Sequence, residues 1–482
     1  MRKCILFVVV LFCFLSVHAQ GKGYTPLIEP CECQVKPDSS LKTKCAYLVV
    51  PENRSKPSGK KIKLPFIYVE SNNPDKKKDP VLFSGGGPGA SSLGIVQHVD
   101  RRAFIRDRDF IAFEQRGTYF SLPRLSCDEI SESLRKAYRN NLPKDSMILD
   151  GVRRCRENLL SQGIDLSGYT TVESAADIED LREALHIDSL NLFGISYSGG
   201  LMLTVLRNYP SGIRSLVLDS PLPEFINIDE EEILNFNEAL HTIFSKCETD
   251  SADRRRYGNL EERFKKYFSS IDGKIFVIPY VEKGTKDTLK INYTRNELVA
   301  SLENTIFNFS KIKDIPFIVT EMIKGNHEQY VKEVLDGIFN GSGPSGMRLS
   351  VYCSDKMAYA NEHMISEQFR IHPYVSGAGF FINDVNMPMC AIWKVPPIPV
   401  ETKKPFYSKK PVLLAAGDTD PSCRALYNDM IFHYMPNSQR LLFINRSHAP
   451  LIGKDGNAFI ANFLNDPFKP LSSDRNDIIV VK

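Results

Sequence analysis

The stretch Asn191-Leu192-Phe193-Gly194-Ile195-Ser196-Tyr197-Ser198-Gly199-Gly200 decides how this chain is read. Its apolar first half is a short strand of the buried type, and Gly200-Leu201-Met202-Leu203-Thr204-Val205-Leu206 continues as helix. Between them Ser196 is flanked, two residues away on each side, by Gly194 and the small Ser198. A tight strand-to-helix turn brings those flanking positions close together, so they carry little or no side chain. Such a turn lifts its central hydroxyl clear of the sheet, and Ser196 is therefore the candidate nucleophile.

Upstream, the spacing of Val172, Ala175, Ala176, Leu181 and Leu185 predicts a helix over 171–185, with Thr170 or Thr171 as N-cap and acidic residues early. It feeds the strand that ends at Ser196, and Ile213-Arg214-Ser215-Leu216-Val217-Leu218-Asp219 is the next strand. Strand, helix, strand in this order argues a parallel sheet. Earlier, Pro80-Val81-Leu82-Phe83 reads as a strand running into Ser84-Gly85-Gly86-Gly87-Pro88-Gly89-Ala90. The lysine and Ser/Thr of a phosphate-binding loop are missing there, which disfavours nucleotide binding. Glycines after such a strand let a backbone N–H approach a substrate, and Gly87 is the chosen donor, with Gly86 as the neighbouring alternative. Asp109-Phe110-Ile111-Ala112-Phe113 is a further strand, and Glu114 and Arg116 just past it are expected to pair with each other as a structural ion pair. The Asn72–Pro80 charge run is expected to be a solvated turn.

After Pro221 and Pro223 the character changes. Residues 224–405 are rich in helix-like segments, and β/α alternation returns only near Lys410. This block is expected to be an inserted cap over the strand ends, where open α/β sheets hold their ligands. Pro411-Val412-Leu413-Leu414-Ala415-Ala416 precedes Gly417-Asp418-Thr419-Asp420-Pro421, and Arg440-Leu441-Leu442-Phe443-Ile444 precedes Asn445-Arg446-Ser447-His448. Each places a titratable residue just past a strand. The order Ser196, Asp420, His448 suits nucleophilic catalysis: the imidazole takes the serine proton, and a buried carboxylate holds the imidazole's tautomer. Asp420 is preferred to Asp418, which is expected to cap its own turn.

Met1-Arg2-Lys3, the apolar run Ile5–Val17 and His18-Ala19 match a secretory signal peptide cleaved after Ala19, which predicts a periplasmic or extracellular protein. Val10-Leu11-Phe12 before Cys13 does not suit lipid attachment. No later run reaches the ~18 apolar residues of a membrane span. Of 11 cysteines, Cys4 and Cys13 leave with the signal, so export implies disulfides with at least one thiol over. Formal charge is +3, from 61 basic and 58 acidic residues spread along the chain, which points to neither nucleic acid nor a membrane surface. Asn53, Asn292, Asn308, Asn340 and Asn445 lie in Asn-x-Ser/Thr triplets, relevant only in a cell that glycosylates them.

Together, Gly86-Gly87-Pro88-Gly89, Glu114-Gln115-Arg116-Gly117, Gly194-Ile195-Ser196-Tyr197, Gly417-Asp418-Thr419-Asp420-Pro421 and Ser447-His448 resemble the prolyl-aminopeptidase-like α/β-hydrolases. The tripeptidyl aminopeptidase branch, with its distinctive C-terminal region, is the nearer likeness. The resemblance implies an α/β-hydrolase fold: a mostly parallel sheet with a largely helical cap inserted before the last strands. The core would then occupy 20–223 and 406–482, with the cap at 224–405. It also implies a cofactor-free serine exopeptidase acting on peptides with a free N-terminus. The oxyanion hole would be the N–H groups of Tyr197 and Gly87, and the disulfides Cys353–Cys390 and Cys127–Cys155. This chain departs from the family pattern at Ser198, Glu114 and Ser447-His448-Ala449. A free amine calls for carboxylates near the cleft. Glu230, Glu231 and Glu232 are available, but an acidic helix start also has an ordinary origin in the helix dipole, so the amine site is left open. A carboxylesterase or lipase-like enzyme with the same triad, and a non-catalytic binding protein on this scaffold, are the competing readings.

Overall fold

The computed structural model describes residues 23–98, 102–341, 346–375 and 385–482; the expected leader through Ala19 lies outside them. Among the described residues twelve strands are formed: β1 (Leu27–Pro30), β2 (Lys42–Pro51), β3 (Lys61–Glu70), β4 (Lys77–Ser84), β5 (Arg108–Phe113), β6 (Leu190–Ile195), β7 (Ile213–Asp219), β8 (Phe276–Val281), β9 (Thr288–Tyr293), β10 (Val412–Gly417), β11 (Ser438–Phe443) and β12 (Ile478–Val481), with helices α1 (Asp128–Arg139) and α2 (Lys144–Ser161) between β5 and β6. All but β8 and β9 join one 10-stranded sheet in the order β1-β2-β3-β5-β4-β6-β7-β10-β11-β12. From β5 to β11 the neighbours run parallel, whereas β1, β2 and β3 on one side and β12 on the other are antiparallel. The charge run expected as a loop partly belongs to the sheet, because β4 begins at Lys77 and pairs there with Arg108 of β5.

Successive side chains of a strand point to opposite faces, and the central strands are apolar on both. Leu82, Leu192, Leu216 and Leu414 face one layer with Ile178 and Leu181 of α3 (Thr171–Ala184) and Leu201 and Leu206 of α4 (Tyr197–Asn208). Their neighbours Phe83, Phe193, Val217 and Leu413 face the other layer, with Leu93, Phe104, Ile460 and Phe463. Asn191 is the polar exception in β6. Its amide is satisfied in place, donating to Asp79 Oδ2 at 2.9 Å and accepting from Ser215 Oγ at 2.6 Å, which removes the usual penalty for a buried polar group. α3 starts where its N-cap allows: Thr170 Oγ1 accepts the Glu173 N–H at 3.2 Å.

The described residues of 224–405 form mostly helices plus the β8–β9 hairpin. Phe236, Leu240 and Phe244 of α5 (Glu232–Thr249) pack with Phe264, Phe268, Tyr293, Leu298 and Leu302 in a cluster of their own. That cluster also takes in Tyr138 from the helix Asp128–Arg139, which precedes the elbow in sequence. Tyr138 donates its hydroxyl proton to Glu297 Oε1 at 2.8 Å, and Lys144 pairs with the same carboxylate. The lobe is therefore built from two chain segments. Among the described residues three disulfides are present: Cys33–Cys45, Cys127–Cys155 and Cys353–Cys390. Cys31, Cys247 and Cys423 are free thiols. Among the described residues no helix is long and apolar enough to cross a membrane.

Candidate active site

Ser196 sits between β6 and α4 at φ 57° and ψ −126°, a left-handed conformation that a side-chain-bearing residue rarely adopts. Its surroundings enforce it. A Cβ at Gly194 would lie 2.5 Å from the Ser198 carbonyl oxygen, so the turn closes only with glycine there. Ser198 is accommodated because its hydroxyl has work in the turn: it accepts the Ile195 N–H at 2.7 Å and lies 2.7 Å from the Ser84 carbonyl, to which it donates. The substitution thus ties the elbow to the end of β4.

The loop after β4 presses against this turn. A Cβ on Gly86 would come within 2.7 Å of Ile195 O and 3.0 Å of Ser196 Cβ, so Gly86 makes the closest approach to the serine. Gly87 follows at φ 113°, and its carbonyl accepts from Arg348 Nη1 at 2.6 Å. Tyr197 opens α4, where a helix leaves its first N–H groups without intrahelical partners. Its ring is anchored, because Tyr197 OH and Thr171 Oγ1 are 2.8 Å apart and the Thr171 N–H donates to Asp355 Oδ2 at 3.2 Å.

Glu114 and Arg116 do not pair with each other, contrary to the sequence expectation. β5 ends at Phe113, and beyond it the two side chains diverge. Glu114 Oε2 accepts from Ser91 Oγ at 2.9 Å and Ser92 N–H at 2.8 Å, bracing the glycine loop; burial holds its carboxyl above the ordinary value. Arg116 turns to α3 and donates two hydrogen bonds to Asp177, at 2.7 and 2.6 Å. Burial opposes the charge on Asp177, but Arg116 and Arg54 beside it hold the carboxyl below its usual range. Gln115 closes the loop from beneath, donating to Ser84 Oγ and Gly85 O.

Asp420 and His448 meet in the loops after β10 and β11. His448 Nδ1 and Asp420 Oδ2 are 2.8 Å apart, and Asp420 Oδ1 accepts the N–H groups of Ser422 and Cys423 at 3.0 and 2.9 Å. Burial disfavours a charged imidazole, but Asp420 foremost and Asp219 after it outweigh burial and raise His448 above its ordinary value. Phe307 lies edge-on to the imidazole at 5.6 Å. The Ser196 and Asp420 segments touch through Cys423, whose buried thiol is 3.9 Å from Ser196 Oγ. No hydrogen bond joins Ser196 Oγ to His448 in this conformation. Unliganded catalytic contacts are often long and tighten on binding. Asp418 does not cap its own turn as expected. Its Oδ2 is 2.6 Å from Lys246 Nζ of α5, which also donates to Asn445 Oδ1 at 2.8 Å.

Of the acidic trio, Glu230 accepts from Asn227 Nδ2 and the Asn361 N–H, and Glu231 from Arg424 and the Tyr427 hydroxyl. Glu232 is close enough for its charge to act on Cys423. Cys423, Phe307 and Lys246 were not singled out from sequence. Only Cys423 had a readable signal, since a tight turn at Asp420-Pro421 returns the third residue on to the carboxylate.

A family model described as the alpha/beta hydrolase fold matches residues 79–254. Serine protease Hip1 of Mycobacterium tuberculosis is 21% identical over 380 residues, covering 73% of this chain and 71% of that protein. Tripeptidyl aminopeptidase of Streptomyces lividans is 26% identical over 187 residues, covering 36% of this chain and 35% of its own. The crystal structure of a proline iminopeptidase from Mycobacterium smegmatis overlays with a TM-score of 0.38 at 12% identity, covering 87% of this chain and 97% of that one. With its parallel sheet, its sharp turn at Ser196 and these curated relatives, the chain has the α/β-hydrolase fold and is similar to serine hydrolases.

Proposed function

We propose that this protein is an exported serine exopeptidase that cleaves short peptides near a free N-terminus through an acyl-enzyme. The observation that carries the reading is the 2.8 Å contact of His448 Nδ1 with Asp420, set beside a serine held at positive φ. In this scheme His448 Nε2 takes the Ser196 proton as Oγ attacks the peptide carbonyl. Asp420 keeps the proton on Nδ1 and stabilises the imidazolium. The N–H groups of Tyr197 and Gly87, with Gly86 as the neighbouring alternative, receive the developing oxyanion. The imidazolium then protonates the leaving amine, and water reverses the sequence to free Ser196.

Peptide substrates are favoured because the curated relatives carry peptidase names, and export by the disulfides, which persist in oxidising compartments. The lobe formed by 224–405 would close one end of the cleft as a cap. Free-amine and N-acylated peptide reporters test the reading: the exopeptidase cleaves only the free-amine series, and Ser196→Ala lowers kcat by on the order of 10⁶. Equal turnover of blocked and free peptides would make the enzyme an esterase or endopeptidase instead.

A further inference from the structure

One buried dipeptide outside the reacting groups meets all three segments of the site. Asp219 and Ser220, at the end of β7, are both fully buried. The Asp219 carbonyl accepts the Ser196 N–H at 3.0 Å, which fixes the elbow. The Ser220 N–H donates to Ala415 O at 2.8 Å, on the strand that leads to Asp420. Their side chains take the third segment: Ser220 Oγ accepts the Ala449 N–H, and Asp219 Oδ2 the Ile452 N–H, each at 3.0 Å. Both side chains come at a cost. Ser220 is held at φ 48°, a conformation that persists only where its surroundings overdetermine it. Asp219 Oδ1 is buried with no hydrogen-bond partner, which an apolar residue would avoid.

We propose that Asp219 and Ser220 are positioning residues that set the turn carrying His448 in register against the Ser196 elbow. The inference rests on the triad reading above. His448 follows a strand, but its own turn has left the ladder, and Ala449 beside it is itself at φ 57°. Two side-chain acceptors on β7 substitute for the missing strand partners. The imidazole then inherits its placement from the same dipeptide whose carbonyl places the nucleophile. Asp219 also shares a field with the site: His448 and Asp420 are the ionisable groups that act on it, and burial lifts its carboxyl to about 7. When ionised, it favours the imidazolium.

The test compares Ser220→Ala with Ser215→Ala, a buried serine on the same strand whose hydroxyl donates to Asn191 Oδ1 at 2.6 Å. Ser220→Ala is expected to lower kcat and the fluorophosphonate labelling rate of Ser196 by about 10–100-fold with KM unchanged, as a small misplacement does. Ser215→Ala is expected to lower the melting temperature without lowering kcat. Asp219→Asn is expected to move the acid limb of kcat/KM to lower pH, because a carboxylate that favours the imidazolium is gone; a merely structural loss would leave the limb in place. A kcat within twofold of the parent in Ser220→Ala, or the same loss in both serine variants, overturns the proposal. Where Ser220→Ala fails to fold, an unmoved limb in Asp219→Asn overturns it. Ser196→Ala separates the two readings: activity retained in that variant refutes the triad, whereas its loss alongside a fully active Ser220→Ala refutes only the positioning role.

Discussion

The sheet and the lobe built around α5 both bury large apolar clusters, but they hold their shape by different means. In the sheet, position comes from the backbone ladder: Phe193 pairs with Phe83 on one side and Val217 on the other, and its neighbours repeat that register. In the lobe, position comes from aromatic side chains on separate helical segments, such as Phe244, Phe264 and Tyr374, whose rings pack at centroid distances of 5.6 and 5.8 Å. A ladder fixes each residue through hydrogen bonds on both sides, whereas ring packing leaves rotations and small slides open. The proposed reacting groups leave the ends of ladder strands. The lobe reaches their loops through side chains, among them Phe307 at His448, Lys246 at Asp418 and Arg348 at Gly87.

If the sheet sets the chemistry, damage at a strand end should outweigh any damage in the lobe. Asp420→Asn removes the acceptor that fixes the His448 tautomer and is expected to reduce kcat by on the order of 10⁴, measured with a free-amine peptide reporter. Its pH profile should change as well. In the parent, His448 must be neutral to accept a proton and its value is raised, so the acid limb of kcat/KM lies above the ordinary histidine range; in Asp420→Asn the limb moves to lower pH.

Disulfides offer a matched pair across the two regions. Cys353–Cys390 closes a separation of 37 residues and sits two positions from Asp355, which holds Thr171 and through it Tyr197. Replacing both cysteines by alanine is expected to cost about 3–4 kcal/mol of stability, read by thermal unfolding, and to lower kcat at a temperature where the protein is folded. Cys33–Cys45 closes 12 residues on the outer strands. Its removal should lower stability by about 3 kcal/mol and leave kcat unchanged.

The smallest effect is expected at Lys246. Its ion pair with Asp418 is partly exposed, so Lys246→Met should change stability by about 1 kcal/mol or less. It should also flatten the dependence of kcat on added salt, which screens such a pair in the parent. A loss as large as that of Asp420→Asn would mean that the lobe, not the sheet, sets the site.

Much of the sheet was legible because parallel strands buried on both faces write themselves as apolar runs, as in Leu190–Ile195 and Val412–Gly417. The serine turn was legible for a steric reason: the approach of Gly194 to Ser198 admits no side chain on the glycine. Legibility ended where the ladder does. Glu114 and Arg116, two apart, would share a face in a continuing strand, but beyond Phe113 the alternation no longer holds and they part. Asp418 was misjudged for a related reason, since its partner Lys246 lies far away in sequence on a lobe helix whose docking no local pattern encodes. The Tyr138 helix is similar: its amphipathic face was blind to which cluster would receive it.

The ammonium of Lys246 touches the loop of Asp418 and, at Asn445, the loop that leads to His448. Any exchange of such lobes between proteins of this fold therefore carries a hidden requirement. A transplanted lobe of matching shape but without a cation at this point would leave the Asp418 carboxylate facing an empty seam, and the two loops would lose their common tether. Chimeras built on this sheet should import a lysine along with the helix.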